Sequence, residues 1–329
     1  MRFLMKRMGV YAVCFSLVLT GCVTNQGGAG TAGAGGPNVG PQLSSIFDKT
    51  GEAVVDPGKP KLDIMVPVFD PGLSENAEDY KEEGVWPELR RAEANRFAVK
   101  LKEALEDTGA FGAVRVVPDQ TATGDLYVLG KILESNGEDV EIQVEVTDIT
   151  GDNWFTRTFD HTVDPGFHKN PRNEGRDPYD PVFAEAANRI ALELEDYEVA
   201  DLETIQHVTE LRFGSNFTEE AFAEHLDATG RTVELVSFPS EADPMLRRAR
   251  AVRVRDQLFV DGLQEHYRTF SANMQDSYLV WQEQSLLELE ARSEANEKAA
   301  GQAALGVLAI GLSALAIMAG ARSSSSAGA

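Results

Sequence analysis

Polar and apolar residues alternate most cleanly between Val140 and Val146, where Val140, Ile142, Val144 and Val146 are interleaved with Glu141, Gln143 and Glu145. Successive side chains of a strand point to opposite faces, so this period predicts a strand with one face buried and the other wet. The same period runs through KLDIMVPVFD, where Leu62, Ile64, Val66 and Val68 alternate with Asp63, Met65 and Pro67. Proline has no amide hydrogen to give a neighbouring strand, so Pro67 places this strand at a sheet edge or marks its end. VRVV at 114–117 and DLYVLGKILE at 125–134 are two more strands, Asn136-Gly137 predicts a hairpin, and TDITGDN turns the chain into WFTRTFDHTV.

Other segments repeat at three and four residues, the spacing of one helix face. After Pro87, Phe97, Leu101 and Leu105 recur at every fourth position up to Gly109, a residue suited to a left-handed C-cap. Between 181 and 194, Phe183, Ala186, Ile190 and Leu194 share one side. Asp201 and Asn216 read as helix N-caps, the latter with Glu219 completing a capping box. The short helices there carry Leu202, Ile205, Phe222 and Leu226, and TVELVSFP offers one further strand. From Pro244 onward no proline interrupts the chain, and Phe259, Leu263, Tyr267, Phe270, Met274, Tyr278 and Trp281 form one apolar stripe. That stripe predicts a long helix packed on the chain's own core or on a second copy.

The predicted class is α+β. A mixed β-sheet with helices packed on it occupies 61–198, and a mainly helical region follows over 199–298. An apolar Gly/Ala-rich helix over 299–321 and a tail over 322–329 end the chain. The uncharged stretch includes AALGVLAIGLSALAIMAGA, long enough to span a bilayer core of about 30 Å. Gly301, Gly306 and Gly311, with Ala309, Ser313 and Ala316, give it small faces on which helices can approach closely. A buried or self-associating helical hairpin is the alternative.

At the other end, Arg2, Lys6 and Arg7 precede a short apolar run from about Gly9 to Leu19, the layout of a secretory signal over 1–21. Leu19-Thr20-Gly21-Cys22 resembles the lipobox of bacterial lipoproteins. The resemblance implies cleavage after Gly21, a diacylglycerol thioether on the Cys22 sulfur and an acylated amino group, for instance with palmitate. Acyl chains at about 0.8 kcal/mol per buried CH2 then hold the protein on a membrane lipid surface. Cys14, the other of the two cysteines, leaves with the signal, so no intramolecular disulfide remains. Val23 rather than Asp follows the cysteine, which by analogy with enterobacterial lipoproteins favours the outer membrane, facing the periplasm. An α-helical span sits uneasily in that membrane, whose spans are usually strands. The next segment, 22–60, is mostly Gly, Ala, Pro, Ser, Asn and Gln after the cysteine and reads as a flexible tether.

The formal charge is −23, and loss of Arg2, Lys6 and Arg7 with the signal takes it to −26. Such a field repels phosphate backbones, and nucleic acid is excluded as a partner.

The order strand, helix, strand, strand, hairpin, strand, helix over 61–198 resembles a domain family of the bacterial envelope. Its members include the amino-terminal domain of the Tol-system protein TolB, the curli-secretion lipoprotein CsgG and the penicillin-binding-protein activator LpoB. The resemblance rests on IMVPVFD, LEDTGAFGAVRVVP, GDLYVLGKI and VEIQVEVTDITGDNWFTRTF. It implies a noncatalytic protein-interaction domain, often a homo-oligomer or adaptor, and carries over no catalytic residue. The long barrel hairpins of a curli-type channel are not visible.

Chemistry-bearing patterns are sparse. His161 and His168 flank TVDPGF near Asp160 and Asp164, but the spacing matches no established metal-ligand pattern and reads as a polar loop. His207, His225 and His266 fall in helical stretches, on solvated faces. NPRNEGRDPYDP lacks the ligand alternation of an EF-hand, and FGSNF around Ser215 fails the nucleophile-elbow pattern. No cofactor, metal or catalytic set is assigned. The expected function is therefore a non-enzymatic envelope lipoprotein that scaffolds or adapts a trans-envelope assembly, with an envelope protein of unknown identity as partner. The alternative is an oligomeric accessory of an export machine, and an envelope hydrolase is remote.

Overall fold

The computed structural model describes residues 56–74, 80 and 85–298. Gly21, Cys22, Gly301, Gly306 and Gly311 lie outside the described residues, with the signal, most of the tether and the apolar stretch.

Five strands, β1 (Ile64–Pro67), β2 (Val114–Val117), β3 (Leu126–Ser135), β4 (Asp139–Asp148) and β5 (Asn153–Thr162), form one mixed sheet in the order β2-β1-β3-β4-β5. β1 runs parallel to β2 and β3, while β3, β4 and β5 make an antiparallel meander. The helices are α1 (Pro87–Thr108), α2 (Asp180–Glu193), α3 (Val199–Ser215), the single turn α4 (Glu219–Phe222) and, after the minimal hairpin β6 (Leu226–Asp227) and β7 (Glu234–Leu235), α5 (Pro244–Lys298). The class is α+β.

Local chemistry accounts for most of these elements. Val140, Ile142, Val144 and Val146 are all buried and their neighbours half-exposed, as the alternation requires. Pro67 ends β1, which is an interior strand: its last residue can lack an amide donor without leaving a gap in the ladder. Pro87 occupies the first turn of α1, where its missing amide has no partner to lose, and Gly109 closes the helix at φ 66°. Gly137 takes φ 100° in the β3–β4 turn. Gly130 on β3 serves a different need: a Cβ there would stand 2.2 Å from the Phe69 ring, so only glycine lets that ring lie on the sheet.

The core lies on the face covered by α1 and α2. Phe97 of α1 is its hub, with edge-to-face contacts to Phe69, Tyr179 and Phe183 at 6.3, 6.2 and 5.0 Å between ring centres. Leu202, Ile205 and Val208 of α3 and Met274, Tyr278 and Leu286 of α5 join this same core, so 199–298 contributes to it as well as 61–198.

Several expectations are corrected. Asn216 stands at the C-terminus of α3, and Thr218 precedes α4. The N-cap of α3 is Glu198, in a reciprocal capping box with Asp201 three residues on. Of TVELVSFP only Glu234–Leu235 is extended, because β6 offers just two residues to pair with. On α5, Phe259 is 68% and Phe270 43% exposed, and the buried line runs through Val260, Ser271, Met274, Tyr278, Gln282 and Leu286. A one-residue shift rotates a helix face by about 100°, enough to turn Phe259 out and Val260 in.

Candidate functional site

The most extensive polar contacts among the described residues hold α5 to the rest of the fold. Part of the length of α5 docks on β2, an edge strand whose outward backbone groups would otherwise be free to recruit another strand. The amide of Gln264 closes that edge: Val116 N–H donates to its Oε1 and its Nε2 donates to the Val116 carbonyl, each at 2.9 Å. Beside it, Arg115 Nε donates to Asp261 Oδ1 at 2.5 Å, and the Arg115 guanidinium also reaches Asp63 Oδ2 at 3.4 Å.

Further along, α5 crosses α1 over a polar cluster sealed from solvent. Arg90, Glu93, Arg96 and Asp177 are 6%, 1%, 0% and 2% exposed, two cations against two carboxylates. Burying an ion is costly unless its charge and hydrogen-bonding capacity are met, and here most of both are met. Arg96 Nη2 donates to Asp177 Oδ2 at 2.5 Å and to Gln275 Oε1 at 2.6 Å, and its guanidinium lies 4.8 Å from the Tyr278 ring centre. Asp177 Oδ1 accepts from Tyr179 N–H at 3.0 Å and from Gln282 Nε2 at 3.1 Å. Glu93 Oε1 accepts from Ser135 Oγ at 2.6 Å and from the Tyr278 hydroxyl at 2.8 Å, while Oε2 faces Arg90 Nε at 3.2 Å. Burial pushes the Glu93 carboxyl up to about 7, with Arg90 and the two hydroxyl donors pulling the other way. The same burial raises Tyr278 and Tyr179, so both remain hydroxyl donors. Glu93 is thus enclosed, and its bond from the Tyr278 hydroxyl joins α5 to α1.

A cleft of about 470 Å³ opens at the start of α5, lined among others by Lys61, Asp63, Asp125, His207, Arg250 and Arg253. Its charges are largely spent on one another. Arg250 Nη2 meets Glu210 at 2.9 Å and the same guanidinium pairs with Glu241, Arg253 Nη2 stands 3.8 Å from Asp125 Oδ1, and Lys61 Nζ donates to the Gly109 carbonyl at 2.8 Å. Burial raises the Asp125 carboxyl, although the Asp63 backbone amide, donating at 2.8 Å, favours its ionised form. The cleft therefore ties α5 to α3 and to the amino ends of β1 and β3.

The opposite side of α5 is bare. Leu258, Phe259, Phe270, Val280 and Leu287 are 43% to 68% exposed.

The residues singled out in the sequence are not brought together. His161 and His168 are half-buried and burial lowers both, but among the described residues no group of three His, Cys, Asp or Glu side chains could hold a metal ion. His207, expected on a solvated face, stacks instead on Phe238 with ring centres 4.0 Å apart at the cleft. His225 Nδ1 lies 2.7 Å from Ser237 Oγ, His266 is exposed, and Ser215 donates to the Leu211 carbonyl within α3. Among the described residues no helix is long and apolar enough to cross a membrane. The buried cluster had one sequence signal: the every-fourth-residue run Phe97, Leu101, Leu105, extended one step back, lands on Glu93. Arg96, Asp177 and Gln282 had none. No family model matches this chain, and comparison with curated proteins and with solved structures returns no match.

Proposed function

We propose that this chain is a lipid-anchored protein of the bacterial envelope, facing the periplasm, whose α+β body serves as a non-enzymatic scaffold presenting α5 for protein contact. The observation that carries the reading is the double-sided character of α5. One side is held by an enclosed ionic cluster, by Gln264 on the β2 edge and by the arginine pairs of the cleft. The other exposes five large apolar side chains. Exposed apolar residues scattered singly are ordinary, whereas a line of them on one element marks a contact surface. The elsewhere-exposed large apolar residues, such as Leu133, Leu192 and Phe217, sit on separate elements. The lipobox at Leu19–Cys22 and the polar tether after it support placement beside a membrane lipid surface. The export-accessory reading instead rests on oligomerisation through the glycine-faced apolar stretch from Ala299 onward.

A photoreactive amino acid at Phe259, introduced into the protein in intact cells, tests the scaffold reading. Discrete adducts are expected at 259, and none at a control position on α1 such as Glu103. Absence of any adduct at 259 would end it.

A further inference from the structure

The proposed contact face of α5 carries enough pattern to name its occupant. Phe259, His266, Asn273, Val280 and Leu287 recur at intervals of seven, so on a helix of 3.6 residues per turn they form one nearly axial seam. Phe259, Val280 and Leu287 are among the exposed apolar residues, and Phe270 lies close beside that seam. The spacing itself is open to any sequence; what marks this seam is that three of its five positions are large, apolar and exposed, so that it can lie along another helix.

Charge then selects the partner and its direction. The first part of α5 is basic, with arginines at 247, 248, 250, 253 and 255, and its last part is acidic, with glutamates at 283, 288 and 290. Arg250, Arg253 and, at the other end, Glu290 are engaged within the molecule, the last with Lys169, but Arg248 and Arg255 are exposed and make no ion pair among the described residues. Glu283, toward the other end, is exposed as well. A second α5 laid parallel would set arginine beside arginine and glutamate beside glutamate. Laid antiparallel, it sets each basic end beside an acidic one, and this self-complementarity is what a two-fold interface demands.

We infer that the outward face of α5 pairs antiparallel with α5 of a second copy, about a two-fold axis near Thr269 and Phe270. The inference rests on the reading of that face as a contact surface and specifies its occupant. The seam repeats symmetrically about this point. Phe259 meets Val280 of the partner subunit, His266 lies beside Asn273 of the partner subunit, and Phe270 packs near the axis. Arg255 comes within reach of Glu283 of the partner subunit. The chain continues at opposite ends of the pair, about 40 Å from the axis at 1.5 Å per residue. The pair therefore lies along, not across, any surface that both continuations enter.

The full-length protein in detergent tests this by light scattering and by photocrosslinking from position 259. A dimer is expected, with the adduct on the peptide holding residue 280 of the other copy. Phe259→Ser with Phe270→Ser should shift it to monomer while leaving the unfolding midpoint in place, since both side chains are exposed. Arg255→Glu should weaken dimerisation about tenfold, and Glu283→Arg in the same chain should restore it. A monomeric wild-type protein, an adduct from 259 onto 259, or a dimer that persists in the double serine variant would overturn the pairing. If the purified protein is monomeric while cells still give an adduct onto another protein, the pairing fails and the scaffold reading stands. If neither gives an adduct, both fail.

Discussion

Glu93 and Tyr278 lie 185 residues apart in the chain, yet the Tyr278 hydroxyl donates to the Glu93 carboxylate at 2.8 Å in a site closed to solvent. This bond fastens a helix at the carboxyl end of the described chain to one near its beginning. It also couples that fastening to a proton, because Glu93 is held at about 7 against an ordinary value near 4.5.

The sign of that coupling follows from linkage. The folded chain holds a proton on Glu93 that the unfolded chain releases between about 4.5 and 7. The associated stability is fully present below the lower value and is lost as pH rises to the upper one. The groups facing Glu93 are Arg90, Ser135, Tyr278, Tyr179 and Asp177, and burial keeps the two tyrosines protonated over this window. Glu93→Gln should flatten the pH dependence of the urea midpoint between pH 5 and 8, approaching about 3 kcal/mol of relative gain at pH 8. An unchanged slope would exclude Glu93 as its source.

Arg96→Met is expected to cost 3–5 kcal/mol, roughly the penalty for leaving a buried partner charge uncompensated. Asp177 would keep its bonds from Tyr179 N–H and Gln282 but lose its counter-ion. Adding Asp177→Asn should recover part of the loss. Additive effects of the two substitutions in denaturant unfolding would mean that the pair is not coupled.

Gly137→Ala should loosen α5 at its far end. The position has φ 100°, and a Cβ there would stand 2.4 Å from Ser285 Cβ. The backbone conformation alone costs an L-residue about 1–2 kcal/mol. Hydrogen exchange should rise first around Gln282 and Leu286, before the sheet is affected. Equal acceleration in β3 and β4 would show that the turn, and not the helix contact, is what fails.

Cys22→Ser should abolish incorporation of labelled palmitate into the protein in cells. Persistent labelling would place the lipid elsewhere or refute the anchor.

Much of the secondary structure is legible in the sequence. Strand alternation in β4, the Pro87 start and Gly109 stop of α1, the Asn136-Gly137 turn and the length of α5 depend on contacts within a few residues, and so leave a local trace. Which face of α5 turns inward is another matter. Its docked side includes Gln264, Ser271, Gln275 and Gln282, polar residues that any periodicity argument assigns to water. They face inward because their partners, the Val116 backbone, Arg96 and Asp177, come from 100 residues or more away in the chain.

The sequence alone, then, determined most of the elements and the net negative charge, and carries the residues that resemble a lipobox, each legible without any distant contact. Only the tertiary structure decided that Glu93, Arg96 and Asp177 are interior, that β1 lies between two other strands, and that Phe259 and Phe270 are left outside. A charge can be buried only where opposite charges and donors converge on it, and that convergence is a property of the assembled fold.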